Sequence, residues 1–205
     1  MKFELDNIDV VVSDLDGTLY DKRHIAARLI KRDIRHLHYL LSERLARKHL
    51  RGKSFGSADA FYSAYFEEMA RGRMFTADDA RRWYADTYMP TMVDIIRKHY
   101  TVQNWVPELI RECKERQVPI VVYSDYDFVS EKLQALHLDE KNFAFVVSAP
   151  SLGGLKPSKE SAMAIINRLG AKAERTLFLG DRDDTDGGSA RAVGAKCQLI
   201  KNTDK

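Results

Sequence analysis

The stretch VVVSDLDGTLYD, residues 10–21, is an apolar run that ends on two aspartates one residue apart, followed by a Gly-Thr pair. Val10, Val11 and Val12 have the β-branched character of a buried strand. Asp14 and Asp16 therefore stand where that strand runs out. Alternate residues of an extended backbone face one side, so both carboxylates point the same way. Asp and Gly also form ordinary turns, but a turn does not require this particular pair. Two carboxylates held close together require a cation, and the rest of the chain must supply groups to match.

Four further runs of strand length follow: Val118–Tyr123, Phe143–Val147, Thr176–Leu179 and Cys197–Ile200, with the first strand spanning Ile8–Ser13. Helical patterns separate them. Pro107 suits the first turn of a helix running to about Gln117, Val129–Leu138 forms another, and Ser158 can cap a third that stops at Gly170. Strands alternating with helices predict an α/β fold with a Rossmann-like parallel sheet covered on both faces. In such sheets ligands bind beyond the carboxyl ends of the strands.

The segment between the first two strands is different, because nothing from Lys22 to Tyr100 alternates with period two. Ile25, Leu29, Ile30, Ile34, Leu37, Leu40, Leu41 and Leu45 recur at three- and four-residue steps, which predicts one long amphipathic helix with arginines on its other face. Ser57 caps a second helix carrying Phe61, Tyr65, Phe66 and Met69. Thr76 opens a third with a capping box, and Pro90 should kink or end it. The aromatic residues at this spacing read as lid core rather than as a base-stacking platform. Lys22–Trp105 holds 17 Lys/Arg against 9 Asp/Glu, whereas the remainder holds 16 against 21, so a basic helical insert sits in an acidic frame. The expected organisation is a core of residues 1–20 and 105–205 with an all-helical cap, 21–104, inserted after the first strand.

Composition excludes several classes. A 44% apolar and 31% charged chain of 205 residues is an ordinary globular protein with enough apolar material for a sizeable core. No apolar run approaches a membrane span, and the acids in MKFELDNID stand where a secretory signal would be apolar, so a cytoplasmic location and no membrane partner are expected. Cys113 and Cys197 are isolated and read as reduced thiols rather than a disulfide or zinc set.

The proposed topology delivers four polar clusters to one sheet edge: SDLDGT, YSDY, GGLKPS and GDRDDTD. Asp14, Asp16 and Asp181 meeting there repel by roughly 4 kcal/mol per pair at about 4 Å and an effective dielectric of about 20, so they need a cation. Hard oxygen donors beside a phosphate suit Mg²⁺. With a cation present, Asp14 can attack phosphorus as a nucleophile. Asp16 can act as acid and base provided a neighbour raises its pKa. Gly17 lets the backbone pass close to the site and Thr18 braces the turn. Ser124 and Lys156 can hold phosphoryl oxygens, and Asp181 completes the metal site.

These residues resemble the four motifs of the haloacid dehalogenase-like superfamily of phosphatases and phosphotransferases, in order, over most of the sheet segment. The resemblance implies a Mg²⁺-dependent phosphatase acting through an aspartyl-phosphate on a small phosphorylated metabolite. Asp14 would be the nucleophile, Asp16 the general acid/base whose carbonyl also binds metal, Ser124 the hydroxyl of motif II, Lys156 the lysine of motif III and Asp181 the acid of motif IV. The insert resembles the C1 cap of phosphoglycolate phosphatase-like and β-phosphoglucomutase-like members. Two departures stand out. Thr185 occupies the fourth position after Asp181, leaving Asp186 as the favoured supporting acid over Asp184. Asp125 stands where Asn is common; its N–H can still bind phosphate. Dehalogenases of the superfamily lack an acid at the place of Asp16, which favours phosphoryl transfer.

A phosphomutase of the β-phosphoglucomutase type is the nearest alternative. A different class is nucleic-acid binding through Arg28, Arg32, Arg35, Arg44, Arg47 and Arg51, although a basic helix face is common without that function. Which of Lys22, Lys31, Lys48 and Lys53 faces the site is not legible at this level, and Tyr20, Asp21 and His24 at the expected hinge carry no assignment.

Overall fold

The computed structural model of the protein describes residues 2–200. Five strands, β1 (Val10–Ser13), β2 (Ile120–Ser124), β3 (Phe145–Ser148), β4 (Thr176–Gly180) and β5 (Lys196–Leu199), form one parallel sheet in the order β3-β2-β1-β4-β5. This is the expected α/β Rossmann-like fold, with no strand end shifted by more than two residues. The central strand is β1, with Val11 opposite Ile120 on one side and Leu177 on the other. Its neighbours' carboxyl ends therefore flank Asp14. Alternation splits the core in two: Val11, Ile120, Val122 and Leu177 pack in one buried cluster, and Val10, Val12, Val121 and Phe178 in another. Both sheet faces are covered, which is why these strands read as continuous apolar runs.

Helices α1 (Ile25–Arg32), α2 (Leu37–Leu50), α3 (Ala58–Ala70), α4 (Ala77–Trp83) and α5 (Met89–His99) lie between β1 and β2. The predicted starts hold: Ser57 Oγ accepts from the Ala60 N–H at 3.2 Å, and Thr76 with Asp79 forms a complete capping box. Phe61, Tyr65 and Phe66 are buried, as expected for a lid core, and Phe61 stacks on Tyr65 at 5.5 Å.

Two expectations need correction. The single long helix through Leu45 breaks at Asp33, whose carboxylate takes up His36 Nδ1 at 2.5 Å and Trp83 Nε1 at 3.0 Å. Short polar side chains that compete for nearby donors interrupt helices, and here they divide the pattern into α1, a 3₁₀ turn (Ile34–His36) and α2. Pro90 does not end a helix. A wide π-turn, Tyr84–Tyr88, carries the chain from α4 into α5, and Pro90 sits in the first turn of α5, where a missing N–H costs little.

The remaining helices, α6 (Val106–Glu115), α7 (Val129–Ala135), α8 (Lys159–Arg168) and α9 (Gly188–Val193), belong to the sheet segment. Ser158 Oγ caps α8 through the Ser161 N–H at 3.2 Å. Cys113 is buried and Cys197 exposed, both as free thiols. Among the described residues no helix is long and apolar enough to cross a membrane.

Candidate active site

The aspartates that end β1 are both buried, and each is held by a different set of donors. Asp14 Oδ1 accepts from Lys156 Nζ at 2.8 Å and Oδ2 from Thr18 Oγ1 at 2.8 Å, while its N–H donates to Leu179 O on β4 at 2.8 Å. Burial pushes the Asp14 carboxyl above its ordinary range, against the pull of Lys156. Lys156 also reaches Asp186 Oδ1 at 2.9 Å, so one ammonium bridges two carboxylates. Burial works to lower the Lys156 pKa, but those carboxylates outweigh it and hold the pKa well above normal. Asp186, expected only as a supporting acid, lies in the cluster itself. Asp184 instead faces Arg182 and Arg51 in an exposed ion-pair group.

Asp16 differs from the expectation of a raised pKa. Its Oδ1 accepts from Tyr20 Oη at 2.7 Å and Lys132 Nζ at 3.0 Å; its Oδ2 accepts from Ser124 Oγ at 2.7 Å and Lys132 Nζ at 2.9 Å. Burial alone would raise this carboxyl, but the Lys132 charge and the three donors outweigh it and hold the pKa below the ordinary range. Ser124 thus faces Asp16, while its Oγ accepts from the Tyr126 N–H at 2.9 Å. Asp125 contributes through its side chain, with Oδ1 accepting the Lys156 N–H at 2.8 Å.

Lys132 is the residue beside these acids that sequence reasoning missed, and of the four lysines it left open Lys22 is the one that reaches them. Lys132 is fully buried, and its own pKa is lowered by burial despite Asp16. A signal was present: Val129, Leu133 and Leu136 surround Lys132 on the apolar stripe of α7, where a lysine requires a buried partner. Lys22 Nζ lies 2.7 Å from the carbonyl oxygen of Asp16 and 2.8 Å from Asp181 Oδ2.

Asp14, Asp181 and Asp186 each present an oxygen, all within 4.8 Å of one another. An all-oxygen set of carboxylates, with the Asp16 carbonyl facing the same place, fits a hard divalent cation such as Mg²⁺ and does not suit a soft metal. The Asp16 carboxylate is outside that set, so of Asp16 only the carbonyl is in position for metal. Gly17 has φ +103°, and a Cβ there would fall 2.5 Å from Asp181 Oδ2; only glycine leaves room for the cluster.

A cleft of about 870 Å³ opens above these groups. Its floor includes Asp14, Asp16, Lys156 and Asp181, and its roof is α1 and α2. The apolar stripe that periodicity assigned to packing is partly open: Ile30, Leu41 and Leu45, which line the cleft, are 39%, 57% and 40% exposed. The six arginines do not share one face. Arg47 is largely buried at the edge of the cleft, Arg44 and Arg51 line the cleft, and Arg32 pairs with Asp94 at 3.2 Å. Arg47 ties the insert to the sheet segment: it pairs with Glu43, donates from Nη1 to Asp125 O at 2.7 Å and covers the Tyr126 ring at 3.9 Å. Tyr62 and Tyr84 add hydrogen bonds to Asp127, both at 2.9 Å.

The parallel sheet gathers acids from the ends of β1 and β4 at one edge, with a lysine bridging two of the carboxylates, and comparison with known proteins specifies the group. Residues 8–194 match the profile of the haloacid dehalogenase-like hydrolases, and the chain belongs to that family. Among solved structures, a 2-haloacid dehalogenase from Pseudomonas syringae pv. Tomato DC3000 is similar with TM-score 0.61 and 18% identity, covering 97% of this chain and 91% of that one. CbbY from Rhodobacter sphaeroides, solved in complex with phosphate, has TM-score 0.62 and 18% identity over 93% and 84%. A protein assigned as β-phosphoglucomutase from Thermotoga maritima has TM-score 0.59 and 14% identity over 97% and 88%. These identities speak to the fold alone. No curated protein matches the sequence at a significant level.

Proposed function

We propose that this hydrolase is a Mg²⁺-dependent phosphatase of small phosphorylated metabolites, with Asp14 as nucleophile. The observation that carries the reading is the pair of contacts on Asp14: Lys156 on one oxygen and Thr18 on the other hold the carboxylate at the floor of the cleft. Asp14, Asp181 and the Asp16 carbonyl, with Asp186 alongside, would hold the ion. When bound, Mg²⁺ neutralises phosphoryl oxygens and makes phosphorus more electrophilic.

In this reading an Asp14 oxygen attacks phosphorus, the P–O bond to the alcohol breaks, and the phosphoryl group is carried as an aspartyl-phosphate. Lys156 offsets negative charge on the transferring group as a point charge. Ser124 turns its hydroxyl from Asp16 to a phosphoryl oxygen, and the Asp125 N–H serves as a second donor. Asp16, held ionised, is the base that takes a proton from the water attacking the aspartyl-phosphate. A bound phosphate removes the Ser124 donor and adds like charge, both of which raise Asp16 and let it pass a proton to the next leaving alcohol. The presence of Asp16 supports phosphoryl transfer over dehalogenation. Residues 21–104 serve as the cap that excludes water and selects substrate over the core of 1–20 and 105–205.

The test is orthophosphate release from a panel of sugar phosphates, nucleotides and phosphoglycolate, with Mg²⁺ and with EDTA, by the wild type and Asp14→Asn. Hydrolysis that needs Mg²⁺ and is lost in Asp14→Asn is the expected result. Equal hydrolysis by the two proteins refutes the nucleophile, and isomerisation without orthophosphate release identifies a mutase.

A further inference from the structure

Lys22 occupies the place where a cation is needed. Its Nζ touches the Asp16 carbonyl at 2.7 Å and Asp181 Oδ2 at 2.8 Å, two of the oxygens that fit the divalent ion. The same ammonium is influenced by Asp14, the third. Gly17 forms the floor beneath it: a Cβ on Gly17 would lie 2.6 Å from Lys22 Nζ and 2.5 Å from Asp181 Oδ2. Side chain and acids thus share one small space. An ion coordinated by those oxygens at about 2.0–2.1 Å, carrying its own waters, overlaps an ammonium already at hydrogen-bonding distance from them.

The lysine is tethered but not enclosed. Its side chain keeps 37% of its exposure, whereas Lys156 keeps 2% and Lys132 none. Those two are fixed counter-charges; Lys22 has a way out. It follows Tyr20, whose backbone bridges Val102 where the two connections to the insert meet, and it precedes α1, with the Ile25 N–H donating to its carbonyl at 3.1 Å. Its stem therefore starts from the connection between sheet and insert rather than from a strand end.

We propose that Lys22 is a tethered cation that fills the divalent seat of the metal-free protein, stabilises the acid cluster there, and must withdraw before a metal ion enters, so that it sets the metal affinity. The compact ammonium suits this role better than a planar guanidinium, because it acts as a point charge on a flexible stem. The inference rests on the reading of Asp14, Asp16 and Asp181 as a cation site, and it does not depend on what the enzyme hydrolyses.

The test compares the full-length wild type with Lys22→Met after removal of metal by EDTA. Mn²⁺ binding is followed by the electron paramagnetic resonance of the free ion, and Mg²⁺ binding by calorimetry. The expected result is binding about tenfold tighter or more in Lys22→Met, because a competing charge has gone. Adding Asp181→Asn to that variant should abolish the gain. Metal-free Lys22→Met should also melt below metal-free wild type, with the larger recovery on adding Mg²⁺. Equal or weaker binding by Lys22→Met overturns the inference while leaving the Mg²⁺ reading intact. Absence of binding by both proteins overturns both, and a gain that survives Asp181→Asn overturns the placement. A second measurement on the wild type needs no variant at Lys22: acetylation by an N-hydroxysuccinimide ester, read by mass spectrometry against exposed Lys172. Lys22 should label several-fold faster with Mg²⁺ present, and an unchanged ratio refutes withdrawal.

Discussion

Replacing Lys132 by Met removes the fully buried counter-charge on the Asp16 carboxylate and tests whether the site is built on that pair. Lys132 Nζ spans both Asp16 oxygens at 2.9 and 3.0 Å, with Lys132 fully buried and Asp16 6% exposed. Breaking a buried pair by deleting one partner costs about 3–5 kcal/mol, because the other charge is left without compensation. Tyr20 and Ser124 still donate to Asp16, which points to the lower part of that range. For a chain of this length the unfolding entropy is about 0.43 kcal/mol/K, so the melting temperature should fall by about 7–9 °C. The assay is a double-mutant cycle by thermal and urea unfolding with Lys132→Met, Asp16→Asn and the pair. The double variant should be less unstable than the sum of the singles by about 2 kcal/mol. If Lys132→Met costs less than about 1 kcal/mol, or if the two losses add, the pair is not the structural unit described.

Two other perturbations probe the roof of the cleft and the thiols. Arg47→Ala should destabilise by about 3 kcal/mol, since it leaves the buried Glu43 with the Tyr65 hydroxyl but no counter-charge, and should raise KM more than it lowers kcat because the Asp125 carbonyl loses its link to the insert; unchanged stability and KM would refute that link. Partial desolvation of the Cys197 sulfur, with Asp186 and Asp183 nearby, pushes that thiol up to about 11, and burial pushes the Cys113 thiol to about 12. A raised thiol is protonated at neutral pH, so Cys197 alkylation by iodoacetamide should climb about tenfold per unit between pH 8 and 10. A plateau near pH 8.5, read by mass spectrometry, would refute the shift.

The fold was legible because a centre buried on both faces leaves its mark as short apolar runs, and the residues that end them could be aligned to one edge. Asp14, Ser124, Lys156 and Asp181 came from that edge. The break at Asp33 was not legible, since the apolar spacing continues across it and the local contact to His36 is joined by one from Trp83, 50 residues away, that the spacing does not show. The direction of the Asp16 shift was missed for a related reason. Two acids two residues apart suggest mutual repulsion, whereas the donors that reverse the outcome, Tyr20, Ser124 and Lys132, come from three different stretches of chain. Lys22 was hidden by its position in a charged connection, where an ammonium on a surface and one in a pocket look alike in sequence.

The central position of β1 also bears on how the chain reaches its native state. Val11 pairs with Ile120 and Val10 with Thr176, so the strand that carries the first aspartates finds both partners only after about 110 and 165 further residues have been made. The insert, by contrast, makes most of its contacts among neighbouring helices, α2 with α3 and α3 with α4. During synthesis those helices have their partners first, and the strand that organises the site waits unpaired with three valines exposed. In a chain built in this order residues 10–13 can gain β2 on one edge first, and β4 on the other only when the last third of the protein arrives.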